Sequence, residues 1–523
     1  ASSVLLCVAA VCLLPLATSS YCTPPAGAHY CVPTTSHARS YIKGSREAMH
    51  TDKGFLSREA YFDMSSKLSP LPPEMRSYAY DAFEEYLKRK RKHNLYDLCD
   101  VVFHLFWQKK RHVRISKAVI DEVQDLTMAE IALLHSVTDN EDGFFICGDT
   151  AQTISRGVGF RFTDVRLLFG GRPTLQQLLI NYRTHAGILG TANAIVGLLL
   201  QLFPNTLDRL RNEHGHFSGP PPALLPDTSP QRVAELMLSA DDLGVMEMGA
   251  NQVVIVRSHE AKSALPLVLQ SGLVLTVEES KGLEFDDVCV YNFFMDSPKE
   301  CMWLVINSLQ EADAKAEADQ LAWQEGTRLT AVEFDSTRHQ LLCEELKAFY
   351  VAVTRARKRC FVFDASVERR SPMFRFLHRQ GVAEDGLEKL LSVVATKVGK
   401  STADDWLRQG DNLYANKLWA PAEKCYLKGG DEVKALTAGA KRLVVQAQEA
   451  PKGAKAEAYH RAATAFMHCA ARQQGVERDT SLVHAARVWW FYAGSRDVAS
   501  HEVSSHCYSE AGLVLRDGLS SPR

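Results

Sequence analysis

The sequence predicts an α/β core followed by an all-α tail. Short apolar runs alternate with helical patterns from Lys117 onward: Ala118–Ile120, Phe144–Cys147, Gln252–Val256, Asp287–Tyr291 and Cys360–Phe363. These runs are continuous, with no polar alternation, as expected of parallel-sheet strands covered on both faces. Beyond about residue 400 the spacing of apolar residues is helical to the end.

At 523 residues the chain is long enough for about three or four domains. Residues 1–54 hold an apolar run, Val4 to Ala17, and a linker rich in Ser, Thr, Pro and His. The run has the length of a signal-peptide core, yet no Lys or Arg precedes it. It reads either as the remnant of an interrupted upstream element in a chain fragment or as a secretory leader. No other stretch reaches bilayer-spanning length, so no membrane partner is expected. Residues 55–116 form a helical subdomain, with Tyr61, Met64, Leu68 and then Tyr80, Phe83, Leu87 at spacings of three and four. Its basic run, Lys88 to His93, is either a solvated helix face or a phosphate-contacting patch, and Lys109 to Arg114 add a second cluster. Residues 117–216 and 217–400 form two strand-bearing blocks, joined through an extended link with five prolines between Phe217 and Pro230. Residues 401–523 form the helical tail.

Lys plus Arg number 60 and Asp plus Glu 62, which excludes a uniformly basic coat. Nucleic-acid contact must come from local patches. The 13 cysteines include no pair at C-x2-C spacing, so most read as buried thiols of a reducing compartment.

Val119-Ile-Asp-Glu-Val-Gln-Asp125 is the strongest chemical signal. An apolar strand delivers Asp121 and Glu122 at its C-terminal tip, where parallel sheets place ligand sites. One carboxylate can hold Mg2+ through water and the next can deprotonate an attacking water.

The string Asp121-Glu-Val-Gln-Asp125 resembles motif II of superfamily 1 helicases of the UvrD/Rep type. Gly148-Asp-Thr-Ala-Gln-Thr-Ile154 resembles motif III, Asn181-Tyr-Arg183 motif IV, Thr276 to Phe285 motif V, and Tyr350-Val-Ala-Val-Thr-Arg-Ala356 motif VI, all in the family's order. The resemblance implies a RecA-like parallel-sheet core using ATP and Mg2+. It implies Asp121 as the Mg2+ ligand, Glu122 as general base and Gln152 as γ-phosphate sensor. Arg183 and Arg355 become phosphate clamps, Tyr182 the adenine-stacking ring, Lys281 a group near the phosphates and Glu284 the ribose acceptor. Guanidinium clamps suit this chemistry because phosphoryl transfer is mostly positioning and charge stabilisation.

The sequence departs from the family at four places. No Gly-Lys-Ser/Thr loop precedes Asp121; the one Gly-Lys-Ser, Gly399–Ser401, follows motif VI. The first RecA-like domain is therefore expected to be incomplete. Ser155 and Gly157 stand where base-stacking aromatics are usual, leaving Phe160 and Phe162 as substitutes or as core. Glu278 replaces the usual His of motif V, and the interval from Arg183 to Thr276 is short for a large accessory subdomain.

Trp406, Gly410, Ala422 and Tyr426 fall at tetratricopeptide spacing, although Gln409 and Leu413 depart from the consensus. The combination resembles the large eukaryotic tetratricopeptide-and-ankyrin-repeat helicase-like proteins. It implies a nuclear or cytoplasmic ATP-dependent helicase or translocase. Its partners would be DNA or RNA, taken as single strands, and a protein bound by the tail. The rival reading is a non-catalytic helicase-like scaffold.

Overall fold

A computed structural model describes residues 38–64, 71, 73–108, 115–154, 160–209, 211–225, 233, 239–240, 246–247, 249–270, 272–298, 302–307, 334–336, 339–385, 401–493, 509–512 and 514. The N-terminal apolar run, the cluster at 109–114, Ser155, Gly157 and Gly399 lie outside these residues. In chain order the helical subdomain holds α1 (Arg58–Phe62), α2 (Pro73–Lys92) and α3 (Leu98–Gln108). Then come β1 (Ala118–Ile120), α4 (Met128–Ser136), β2 (Phe144–Ile146), α5 (Phe162–Leu168), β3 (Ile180–Asn181), α6 (Ala186–Leu202), β4 (His214–Gly215) and β5 (Ala223–Leu225). The next block holds β6 (Gln252–Val256), α7 (His259–Ala264), β7 (Leu273–Thr276), α8 (Val277–Ser280) and β8 (Phe285–Tyr291). After it come α9 (Gln340–Thr354), β9 (Ala356–Phe363), α10 (Val367–Arg379) and β10 (Glu384–Asp385). The tail is α11 (Ala403–Ala415), α12 (Trp419–Lys428), α13 (Glu432–Glu449), α14 (Lys455–Arg472) and α15 (Gly475–Ala493).

The chain forms two compact units: residues 1–226 with 290–386, and residues 227–289 with 387–523. In the first unit, α2 starts on Pro73, whose missing N–H costs nothing at a first helical position. Its Tyr80, Phe83 and Leu87 pack with Tyr61, Leu56 and Ile42. The basic run ends α2, where cations oppose the helix dipole. Lys90 turns inward, 2.9 Å from Asp97 and 2.6 Å from Asp100, and Lys43 reaches the same two carboxylates. Arg91 and Lys92 stay exposed. The run is thus part buried staple and part solvated face.

Strands β1 and β2 pair in parallel, with Val119 opposite Phe145. Ile120, Phe144 and Ile146 pack on Val123, Ile131, Phe160 and Phe169. Val119 and Phe145 point the other way and are 77% and 64% exposed, so this pair of strands is covered on one face only among the described residues. Phe160 is buried in this core and Phe162 packs edge-on against it at 5.2 Å, which makes them packing residues. The proline-rich link contains a strand: Ala223, Leu224 and Leu225 are all buried, with β5 lying between β9 and β10 in parallel register. Pro220 to Pro222 lie directly before it, outside any regular element.

In the second unit β6 and β7 pair in parallel, Val253 opposite Leu273, and both are buried throughout. The strand Leu273–Thr276 was not among the runs singled out in the sequence. The tail helices pack each on the next. Lys424 on α12 donates to the carbonyls of Gln270 and Gly272 at 2.9 and 2.8 Å, joining the tail to the β6–β7 segment. Six of the seven described cysteines are buried; burial pushes the Cys289 and Cys425 thiols up to about 12.

Candidate active site

Asp121 and Glu122 leave β1 at its C-terminal end, as the strand pattern requires. Cys147 N–H donates to Ile120 O at 2.8 Å and Val123 N–H to Cys147 O at 3.0 Å, so the ladder runs on past both strands and fixes the turn. Glu122 adopts a left-handed conformation (φ 52°, ψ 39°), unusual for a non-glycine residue. Its carboxylate accepts from the Gln124 amide, whose own Oε1 accepts the Asp149 N–H at 3.1 Å. Gln124 is fully buried and ties the two acidic loops together. Sequence reasoning gave Gln124 no role. The signal was available: it is the one uncharged polar residue inside an acidic string. Gly148 is needed opposite, since a Cβ there would lie 2.3 Å from Gln124 Oε1.

Asp149 caps the turn Thr150–Gln152 by accepting the Ala151 N–H at 2.9 Å. Its other oxygen accepts from Gln152 Nε2 and from the Tyr350 hydroxyl, both at 3.0 Å. Gln152 Oε1 in turn accepts from Arg355 Nη2 at 3.2 Å. Arg355 is 2% exposed, and its Nε donates to Val351 O at 2.9 Å. Burial and the Arg183 cation lower Arg355 to about 10, so it stays charged at neutral pH. Burial and Asp149 raise the Tyr350 phenol well above its ordinary value, which keeps the hydroxyl a donor.

Arg183 and Tyr182 leave β3 on a loop shaped by Asn181. Its Oδ1 accepts the N–H groups of Arg183 and Thr184, each at 2.9 Å, and its Nδ2 donates to Glu213 at 3.0 Å. Tyr182 is 69% exposed, its ring tilted against that of His216 with centres 4.8 Å apart. Asp149, Gln152, Arg183 and Tyr350 line one small cavity with Asn181, Thr184 and Glu213.

Five polar side chains from loops far apart in sequence thus converge: two carboxylates at a strand tip, a turn-capping Asp–Gln pair and a buried arginine. Residues 59–169 match the UvrD/REP helicase N-terminal domain, and residues 236–366 match the UvrD-like helicase C-terminal domain. The chain carries UvrD-like helicase N- and C-terminal domains. The human TPR and ankyrin repeat-containing protein 1 is 35% identical over 426 residues, covering 75% of this chain and 14% of that protein. A probable DNA helicase of Mycoplasma pneumoniae is 23% identical over 323 residues, covering 56% of this chain and 54% of that protein. The putative ATP-dependent DNA helicase YjcD of Bacillus subtilis is 25% identical over 155 residues, 28% of this chain and 20% of that protein. The chain therefore spans between about a seventh and about half of these relatives.

Helicase motifs II, III, IV and VI lie in the first unit, and the structure brings Glu122, Gln152, Arg183 and Arg355 into one neighbourhood. Motif V, with Lys281 and Glu284, lies in the second unit. There Thr276 and Glu279 form a capping box at 2.8 and 3.1 Å that starts α8 directly from the end of β7. Gly282, at φ 76°, turns the chain from α8 toward β8 between Lys281 and Glu284. Glu278 and Glu284 are exposed, and Lys281 is half-buried. The described residues contain no group of three or more His, Cys, Asp or Glu able to hold a metal. One or two carboxylates suffice for Mg2+, which keeps most of its ligands as water and phosphate oxygens. Among the described residues no helix is long and apolar enough to cross a membrane.

Proposed function

We propose that the motif II–III–VI neighbourhood is the ATP-hydrolysing site of a nucleic-acid-dependent motor. The observation that carries this reading is the buried arginine: Arg355 is held charged beside Gln152, with Arg183 close enough to repel it. A buried cation with a second, exposed cation beside it suits a polyanion held by both, and a nucleotide's phosphates supply one. Asp121 would hold Mg2+, which supplies charge neutralisation on the phosphates when bound. Glu122 would take the proton of the attacking water, and Gln124 holds that carboxylate in place. Tyr182 would stack on the base from the loop edge. Lys281 and Glu284 would contact phosphate and ribose, and the tail, with its tetratricopeptide-like spacing, would bind a protein partner. By likeness to DNA helicases the polymer is DNA or RNA, taken as a single strand.

The experiment is steady-state ATP hydrolysis by the complete protein with and without single-stranded DNA and RNA. Glu122→Gln is expected to abolish turnover while leaving ATP binding nearly intact, because the amide keeps the shape but takes no proton. Stimulation by neither polymer, with ATP still bound, favours the scaffold reading. That reading is motivated by Ser155 and Gly157, which stand where base-stacking aromatics are usual.

A further inference from the structure

Lys441 on α13 is a half-buried ammonium with no carboxylate in contact among the described residues. Its Nζ donates to Nε2 of His484 on α15 at 3.0 Å and lies 5.5 Å from the centre of the Phe466 ring on α14. The His484 ring rests on Phe466 at 5.2 Å. The charge acting on both groups is the exposed guanidinium of Arg487, three residues further along α15. Neighbouring cations of α13 are already matched: Lys434 with Asp411 at 2.8 Å, Arg442 with Glu423 at 2.8 Å. Burial and Arg487 push Lys441 down to about 8; burial, Lys441 and Arg487 push His484 down to about 4. At neutral pH the site is two like charges around an uncharged imidazole, an arrangement that weakens the fold holding it. Groups shifted by burial together with a specific charged neighbour are candidates for binding sites.

We propose that Lys441, His484 and Arg487 form a receptor for the carboxylates of an acidic segment of a partner protein. Lys441 has ammonium protons left to donate. The neutral imidazole has one ring N–H, its two nitrogens lying 3.0 and 3.5 Å from Lys441 Nζ, and Arg487 offers a planar fork. A protein segment fits better than a nucleic acid. Phosphate backbones are held by an extended cationic groove, and this spot has two cations with matched pairs beyond it. The adjoining turn is neutral, bridged by Gln473 to Thr437 at 3.3 Å and to Ser481 at 2.6 Å. This inference does not rest on the ATPase reading.

The test is fluorescence anisotropy of the full chain with a labelled hexaglutamate peptide, alongside a labelled oligothymidylate. Lys441→Met and Arg487→Gln are each expected to weaken hexaglutamate binding by about tenfold, ~1.4 kcal/mol, and to leave oligothymidylate binding unchanged. Arg487 is exposed, so its variant keeps the test valid if Lys441→Met misfolds. Lys441→Met is also expected to raise the melting temperature at pH 7, a gain that fades as pH rises from about 8 toward 10.5. Absence of hexaglutamate binding, binding by both variants as tight as that of the wild type, an equal loss on oligothymidylate, or a lowered melting temperature for a folded Lys441→Met would each overturn the proposal.

Discussion

Replacing Lys90 with Met tests whether the basic run at the end of α2 is a staple or a surface. Lys90 is 11% exposed and contacts Asp97 and Asp100, which are 24% and 34% exposed. Tyr86 also donates to Asp97, at 2.6 Å. Removing one partner from a fully buried ion pair costs ~3–5 kcal/mol. Here Lys43 remains to balance both carboxylates, and water reaches them, so we expect a loss of about 1–3 kcal/mol. Methionine keeps the packing of the stem. Lys92→Met removes the same charge from an exposed position and should cost less than about 0.5 kcal/mol. Urea unfolding followed by circular dichroism separates the two. Acid adds a second check. Burial acts to raise Asp97, but Lys43, Tyr86 and Lys90 outweigh it and hold the carboxyl well below the ordinary range. A depressed carboxyl contributes stability that is full above its unfolded value, about 4, and is lost as pH falls toward its folded one. The gap between wild type and Lys90→Met should therefore narrow below about pH 4. Equal destabilisation by the two substitutions, or a gap that widens in acid, would refute the staple.

Gln124→Leu should leave the Asp149 N–H and the Glu122 carboxylate without their buried partner and cost about 1–3 kcal/mol in the same unfolding assay. Tyr350→Phe removes the hydroxyl that joins α9 to the motif III turn; we expect a loss of about 1.5–3 kcal/mol, because the acceptor is charged, and a Phe variant as stable as wild type would show the bond to be idle. Gly410→Ala would place a methyl 2.7 Å from the Tyr426 ring. A shift of α11 against α12 should follow, lowering the melting temperature with a cost of about 1–3 kcal/mol.

The strand-bearing blocks were legible because their strands are short continuous apolar runs, and all five predicted runs fall on strands, Cys147 alone lying just past the end of β2. Leu273–Thr276 escaped because it ends in Thr-Val-Glu-Glu, which reads as a helix start; the capping box begins where the strand stops. Ala223–Leu225 escaped because prolines in front of it mark a link, and only its neighbours β9 and β10 reveal a buried place for it. Motif strings named Asp121, Glu122, Gln152, Arg183 and Arg355. Their bridging residues Tyr350 and Glu213 were not legible as bridges, since each acts through a partner distant in sequence, whereas Gln124 stood out as the one uncharged polar residue in its acidic string. Lys90 and Lys92 carry the same charge in the same run, and only the fold tells them apart.

The left-handed backbone at Glu122 has one further consequence. A side chain there costs roughly 1–2 kcal/mol, which glycine would not incur. The residue proposed to take the proton is therefore one that the fold alone would discard. A library of variants sorted for abundance or heat resistance should enrich glycine at this position. The same library sorted for turnover should return the glutamate. Agreement between the two sorts would mean that the strain has no counterpart in chemistry.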